Sequence, residues 1–312
     1  MSALLAAWLP SAHGSCGSAF CLVNTNWGAQ GVWTEPGWRG DLRYEYIDQD
    51  QPRAGTQDVG VGEVRQHHDE VRTVNRNWLG TLDYGFSPNW GATVVMPWVD
   101  RSHEHIHNHR GAAITESWKF TDPGDIRVAG RYQTAIEDAQ NLRLGYAGVI
   151  AGLKLPTGRT DVANDDGEVA ERSLQPGTGT TDLTLAAYFR QALGAWNASW
   201  FTQFGAQLPL NSSQGYKPGR QVLADAGGRW EATERLGVLL QLNAVWKGSD
   251  SGSEAEPANS GGRWIFISPG FTFSLTRDAS VYGFVQLPVY QNVNGVQLVA
   301  SRGYAVGASL QF

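Results

Sequence analysis

Apolar and polar residues alternate with period two along most of the chain, and no helical period is sustained anywhere. In "DLTLAAYFR", Leu183, Leu185, Ala187 and Phe189 oppose Asp182, Thr184, Tyr188 and Arg190. In "WNASWFTQFGAQL", Trp196, Ala198, Trp200, Phe204 and Leu208 oppose Asn197, Ser199, Gln203 and Gln207. In "VLLQLNAVWK", Val238, Leu240, Leu242, Ala244 and Trp246 oppose Gln241, Asn243 and Lys247. The pattern predicts twelve strands, over 38–50, 68–86, 90–101, 123–135, 142–156, 179–192, 195–210, 219–233, 237–247, 262–275, 280–291 and 297–312.

The connections alternate too. Those after the even-numbered strands are short ("SPN", "IEDAQ", "LG", "TER", "TRDA"). Most of the others are long and polar, at 51–67, 102–122, 157–178, 211–218 and 248–261. An even number of strands puts both ends of the set on the tight-turn side. Alternation alone does not say which face points inward. Full charges on the polar face, Trp and Tyr near strand ends (Trp78, Trp90, Trp98, Trp196, Trp246, Trp264, Tyr304) and the loop asymmetry fit a membrane barrel. Lipid offers no water to a free backbone edge, so such a sheet closes on itself. The expected fold is all-β: a twelve-stranded antiparallel transmembrane β-barrel with short periplasmic turns and long extracellular loops. Arg72 and Arg76 share parity with Trp78 and are expected above the hydrocarbon band, where an arginine avoids the midplane cost of about 2–4 kcal/mol.

Composition agrees with this. Of 312 residues only 17% are charged, while Gly numbers 38 and Trp 13. A net charge of −6 speaks against a nucleic-acid partner. No stretch offers the ~20 apolar residues of a membrane helix. Residues 1–14 read as a signal-peptide remnant, residues 15–37 as a Cys/Trp/Gly-rich N-terminal segment, and 38–312 as the barrel. Cys16 and Cys21 have a spacing that permits a small disulfide loop. The segment 15–37 has two readings, a plug folded into the lumen or a dock for a periplasmic partner.

The last strand, "SRGYAVGASLQF", alternates Tyr304, Val306, Ala308 and Leu310 and ends on Phe312. It resembles the closing strand of Gram-negative outer-membrane proteins. That resemblance implies an assembly signal at Tyr304 and Phe312, read by the barrel-assembly machinery. It also implies a bacterial outer-membrane location, among lipid and lipopolysaccharide. The phrases "GLKLPTGR" (152–159), "LQPGTGTTDLTLAAYF" (174–189), "SPGFTF" (268–273) and "VYGFVQLPVYQNVNGVQL" (281–298) resemble the meta-pathway of phenol degradation family of outer-membrane transport proteins. The likeness covers about the C-terminal half. It implies passive transport, in some members linked to aromatic compounds, and brings no catalytic residues.

Two constellations remain. The segment "RSHEHIHNHR" alternates His103, His105, His107 and His109 in an expected loop. His67, His68, Asp69 and Glu70 open the second strand on the same side. Imidazoles about 6–7 Å apart along an extended chain can share a Cu, Zn or Ni ion if the backbone bends. Such residues also suit a solvated polar loop or a pH-responsive gate. The second constellation is the expected lumen set: Arg43, Glu45, Asp125, Arg127, Arg131, Asp182, Arg190, Asp225, Arg229 and Glu231. Arg127, Arg131, Arg190 and Arg229 are expected to face Asp125, Asp182, Asp225 and Glu231, as a structural network or as a selectivity constriction. No G-x-S-x-G or other nucleophile–base spacing occurs, so the chain is not read as an enzyme, and no cofactor is required. The expected function is passive passage of a small solute, hydrophobic or aromatic. The alternatives are a metal-binding or metal-uptake barrel and a closed adaptor barrel.

Overall fold

The computed structural model describes residues 23–33, 35–66, 68–109, 112–137 and 143–312. Its strands are β1 (Gly37–Ala54), β2 (Gln57–Asp58), β3 (His68–Gly85), β4 (Trp90–His109), β5 (Ala112–Pro123), β6 (Arg127–Glu137) and β7 (Arg143–Lys154). They continue as β8 (Asp182–Leu193), β9 (Ala198–Pro209), β10 (Gln221–Glu231), β11 (Leu236–Lys247), β12 (Gly262–Ser274), β13 (Ala279–Val293) and β14 (Val296–Gln311). Each strand pairs antiparallel with its neighbour, and β14 pairs back onto β1 from Arg39↔Gln311 to Ala54↔Val296. The sheet is therefore a closed barrel. It has twelve staves, because β2 only adds to the end of β1, and β5 and β6 together make one stave along β4.

The β4–β5 stretch differs from the expected loop over 102–122. It is a hairpin of paired strands, from Trp98↔Pro123 to His109↔Ala112. The chain leaves β4 only around Gly124, whose N–H donates to Pro97 O at 2.9 Å. Polar residues in strict alternation suit a strand as well as apolar ones do, so polarity alone misassigned this segment.

Parity sorts the two faces as alternation predicts. Val238, Leu240, Leu242 and Trp246 point outward, whereas Gln241, Asn243 and Lys247 are buried inside. Trp78, Trp90, Trp98, Trp196, Trp246 and Tyr304 are exposed on the outside. Trp264 is the exception among the expected girdle residues. It is 5% exposed and packs inside with Val245, Phe266, Val293 and Val299, because Arg263 and Ile265 take the outward parity of β12. Arg72 and Arg76 do lie outside, towards the end where the longer loops are, paired with Asp48 and with Asp100 at 3.4 Å. Phe312 is exposed, and its N–H donates to Trp38 O at 3.0 Å.

The inner wall makes room for aromatic rings with glycine. A Cβ on Gly307 would lie 2.4 Å from the Tyr282 ring, which pairs opposite it. The two ends of the barrel differ. One has the connections 86–89, 194–197, 232–235 and 275–278 and the start of β1. The other has 55–67, 155–181, 210–220 and 248–261. These are called the turn end and the loop end below.

Candidate functional site

Residues 23–33 lie inside the ring. Val23, Trp27 and Trp33 share a buried cluster with Ile47, Leu239, Tyr282, Phe284, Ala300 and Ala305 from the inner wall. Polar groups fix the segment as well. Asn24 N–H donates to Gln241 Oε1 at 3.0 Å and Asn24 Nδ2 to Asp225 at 2.9 Å. Trp27 Nε1 donates to Asp41 at 3.3 Å, and Arg43 donates to Thr25. On the far wall, Gly28 and Gly31 lie against Arg131 and Arg190, where any Cβ would crowd the guanidinium groups. Cys16 and Cys21, and the expected signal remnant 1–14, lie outside the described residues.

All ten expected lumen charges are on the inner face, and of the expected pairings Arg229 with Glu231 forms, whereas Asp125 and Asp182 meet a lysine instead of an arginine. The buried hub is Lys154, which sequence reading passed over in an apolar strand. Its ammonium donates to Asp125 at 2.8 Å, to Thr180 O at 3.0 Å and to Thr178, and lies 3.4 Å from Asp182. Arg43 pairs with Glu45 at 3.0 Å and Arg229 with Glu231 at 2.5 Å. Asp225 is met by the amides of Asn24 and Asn243. Arg190 lies 4.1 Å over the Tyr146 ring. Arg39 and Asp83, missed earlier, form a further buried pair at 3.0 Å. Their odd–odd parity with Asp41 and Asn77 was the available signal. Within this wall Arg127 stays exposed, and Val95, Ala129, Ile150, Thr184, Gln203 and Gln207 are half-buried. The lumen beside β4–β9 is thus accessible, with apolar and polar side chains interspersed. The wall over β11–β14 holds a buried apolar cluster, Val245, Trp264, Phe266, Val293 and Val299, among inward polar residues such as Gln241, Asn243, Ser268 and Gln286.

The 155–181 connection covers the loop end. Leu174 is 2% exposed and packs with Trp118 of β5, Ala170 of its own loop, and Leu298 of β14 across the ring. Arg101 donates to Leu174 O at 2.6 Å, and Trp118 Nε1 to Glu168 O at 2.8 Å. The loop's two legs cross at Gly158 and Gly177, where a Cβ on Gly177 would lie 2.4 Å from Gly158 O. Asp125 clamps both legs, accepting from Gly158 N–H at 3.0 Å and Thr178 N–H at 2.9 Å.

Beneath this loop the expected histidines converge. In β4, His103 and His105 point inward and are buried; His107 is half-buried. In β3, the register slips between Glu70 and Arg72. This bulge brings His68 and Glu70 onto the same face as Thr73 and sends Arg72 outside. His103 Nε2 lies 3.5 Å from Glu70 Oε2 and 3.3 Å from His105 Nδ1. His103 Nδ1 is 2.9 Å from Thr73 Oγ1, and His105 Nε2 is 2.9 Å from Glu116 Oε2. His107 Nδ1 is 3.3 Å from the other Glu116 oxygen. His68 stacks on His105 with centroids 4.4 Å apart, and its Nδ1 is 3.3 Å from Glu171 of the covering loop. Burial, then the carboxylates of Glu70, Glu256 and Glu116, hold the Glu171 carboxyl well above the usual range. Asp69 is not part of the cluster; it accepts from Gln66 N–H and Asn108 Nδ2. His109 lies in β4 opposite Ala112, and His67 lies outside the described residues. Sequence reading missed Glu116, because it had no strand at 112–123 to place opposite the histidines, and it missed Thr73 and Glu171, because the strand register and the path of the covering loop are set by tertiary pairing.

No protein-family model matches the chain. No curated protein matches it either. Among solved structures, the COG4313 outer membrane channel from Pseudomonas putida F1 is similar over 90% of this chain and 97% of its own, with a TM-score of 0.63 at 13% identity. The NanC porin is similar over 88% of this chain and 100% of its own, with a TM-score of 0.48 at 10% identity. A Pseudomonas aeruginosa FadL homologue is similar over 96% and 100%, with a TM-score of 0.46 at 9% identity. The first of these likenesses, with the closed ring and its apolar outer face, gives the conclusion: the chain has the fold of an outer-membrane β-barrel channel.

Proposed function

We propose that this protein is an outer-membrane channel for passive passage of a small hydrophobic or aromatic solute. It is held shut at both ends in the conformation described. The observation that carries the reading is the accessible inner wall around Arg127, bounded below by residues 23–33 and above by the 155–181 loop. The wall's mixed lining, with apolar Val95, Ala129 and Ile150 beside polar Arg127, Thr184 and Gln203, suits a solute with a ring and a polar substituent. The turn end, with the start of β1, would face the periplasm and the loop end the outside, as in outer-membrane barrels. The outward girdle would meet lipid and lipopolysaccharide, and the last strand would carry the signal for the assembly machinery. Burial of Trp27 and Trp33 inside the ring favours a plug over a docking arm.

Planar-bilayer recording tests this. The intact protein is expected to conduct poorly. A variant lacking residues 23–33, with the 155–181 loop shortened, is expected to conduct steadily and to pass small aromatic solutes into vesicles. A correctly folded double variant that stays silent would remove the channel reading.

A further inference from the structure

The Glu70–His103–His105 cluster is not used in the transport reading, and its geometry is that of a ligand set. One donor atom from each residue lies within 4.8 Å of the others, and all three residues are buried. The contacts of His103 Nε2, 3.3 Å to His105 Nδ1 and 3.5 Å to Glu70 Oε2, are long for hydrogen bonds. They match the edges of a tetrahedron: metal–ligand bonds of about 2.0–2.1 Å put neighbouring donors about 3.3–3.4 Å apart.

The outer contacts point the same way. A ligating imidazole usually donates its other N–H to an oxygen, which sets the tautomer and the ring orientation. His103 Nδ1 has the Thr73 hydroxyl at 2.9 Å, and His105 Nε2 has the Glu116 carboxylate at 2.9 Å. With the protons on these outer nitrogens, the inner nitrogens would turn their lone pairs to the centre of the triad when an ion binds. The bulge in β3 places Glu70 on this face, out of step with the strand below it. A small cleft lined by Gly62, Gln66, His68 and Glu70 borders the carboxylate side of the triad. His68, His105 and Glu171 make a second triad that shares His105, so the covering loop reaches the same place.

We infer that Glu70, His103 and His105 bind one borderline divalent transition-metal ion, Zn²⁺, Cu²⁺ or Ni²⁺, with Thr73 and Glu116 as positioning residues. Two imidazoles and a carboxylate, with no thiolate, suit these ions better than Mg²⁺ or Ca²⁺. The site goes beyond the transport reading and does not depend on it.

The test uses the full chain, folded in detergent and stripped with a chelator. Zn²⁺ is titrated calorimetrically, and Co²⁺ serves as a visible probe of coordination. The expected result is one-to-one Zn²⁺ binding and a Co²⁺ spectrum of tetrahedral type. Binding should be abolished in His103→Ala and His105→Ala, and Glu70→Gln should lower affinity at least tenfold. Thr73→Val should weaken it about 10–100-fold, as removal of an orienting partner does. Glu104→Gln, an exposed carboxylate on the outer face of the same strand, should bind as the parent does. Heat-modifiable gel mobility checks that each variant is folded. If the unaltered protein takes up no stoichiometric Zn²⁺, or if His105→Ala and Glu104→Gln bind alike, the cluster is a hydrogen-bonded polar network and the inference is wrong. Either result leaves the conductance experiment untouched.

Discussion

At the scale of single residues, the inner wall works by satisfying buried charge, and Lys154 illustrates how. Its ammonium is shared by Asp125 and Asp182, with both partners' side chains less than a tenth exposed. Removing one member of such a set leaves the others charged and dehydrated, at a cost of about 3–5 kcal/mol. Lys154→Met should therefore lower the urea midpoint of unfolding in detergent well beyond what Arg229→Met does, since Glu231 at that rim is largely in water. Equal effects would show that Lys154 is not a hub. The direction of Lys154 was legible from parity, since it falls in step with Ile150 and Gly152. Its importance was not, because its partners Thr178 and Thr180 belong to a loop whose path no local pattern sets. The same holds for the histidines. Their alternation put His103 and His105 on one face, but Glu116 and Glu171 reach them only through tertiary pairing.

At the scale of elements, alternation located all twelve staves, because a strand with one lipid face and one wet face must alternate. It failed at the β4–β5 hairpin, where the apolar residues Ile106, Trp118 and Phe120 are too few and too scattered among polar ones to mark a face, so the segment reads as loop. Bulges are equally silent: the slip after Glu70 reverses parity within one residue and leaves no trace in composition. The apolar anchor of the 155–181 loop over the opening is Leu174, which is packed between Trp118 and Leu298. Leu174→Ala should cost the closed arrangement about 2–5 kcal/mol, the usual range for a truncated buried leucine. The expected outcome is longer or more frequent openings in single-channel traces, with the urea midpoint of the barrel unchanged. A fall in barrel stability with no change in gating would mean that the loop is part of the wall and not a cover.

At the scale of the whole molecule, the two faces of one sheet meet two solvents, and that inverts the usual rule for a globular protein. Large apolar side chains are outside, while glutamines, asparagines and ion pairs fill the centre. Residues 23–33 complete the interior by bringing Trp27 and Trp33 against inward aromatics and Asn24 against Asp225. The opposition of faces can be tested with one substitution at two places. Leu242 is 49% exposed near the middle of β11 and points outward. Gln203 sits near the middle of β9, points inward and borders the accessible hollow. An arginine facing lipid at mid-depth costs about 2–4 kcal/mol, whereas one in a hydrated lumen keeps its water. Leu242→Arg should therefore reduce the yield of heat-modifiable barrel in lipid vesicles and lower its stability by that amount. Gln203→Arg should fold nearly as well as the parent, and its added charge should shift ion selectivity towards anions once the plug is removed. The reverse order, with Gln203→Arg the damaging change and Leu242→Arg harmless, would mean that the apolar face meets water and that the barrel does not reside in a bilayer.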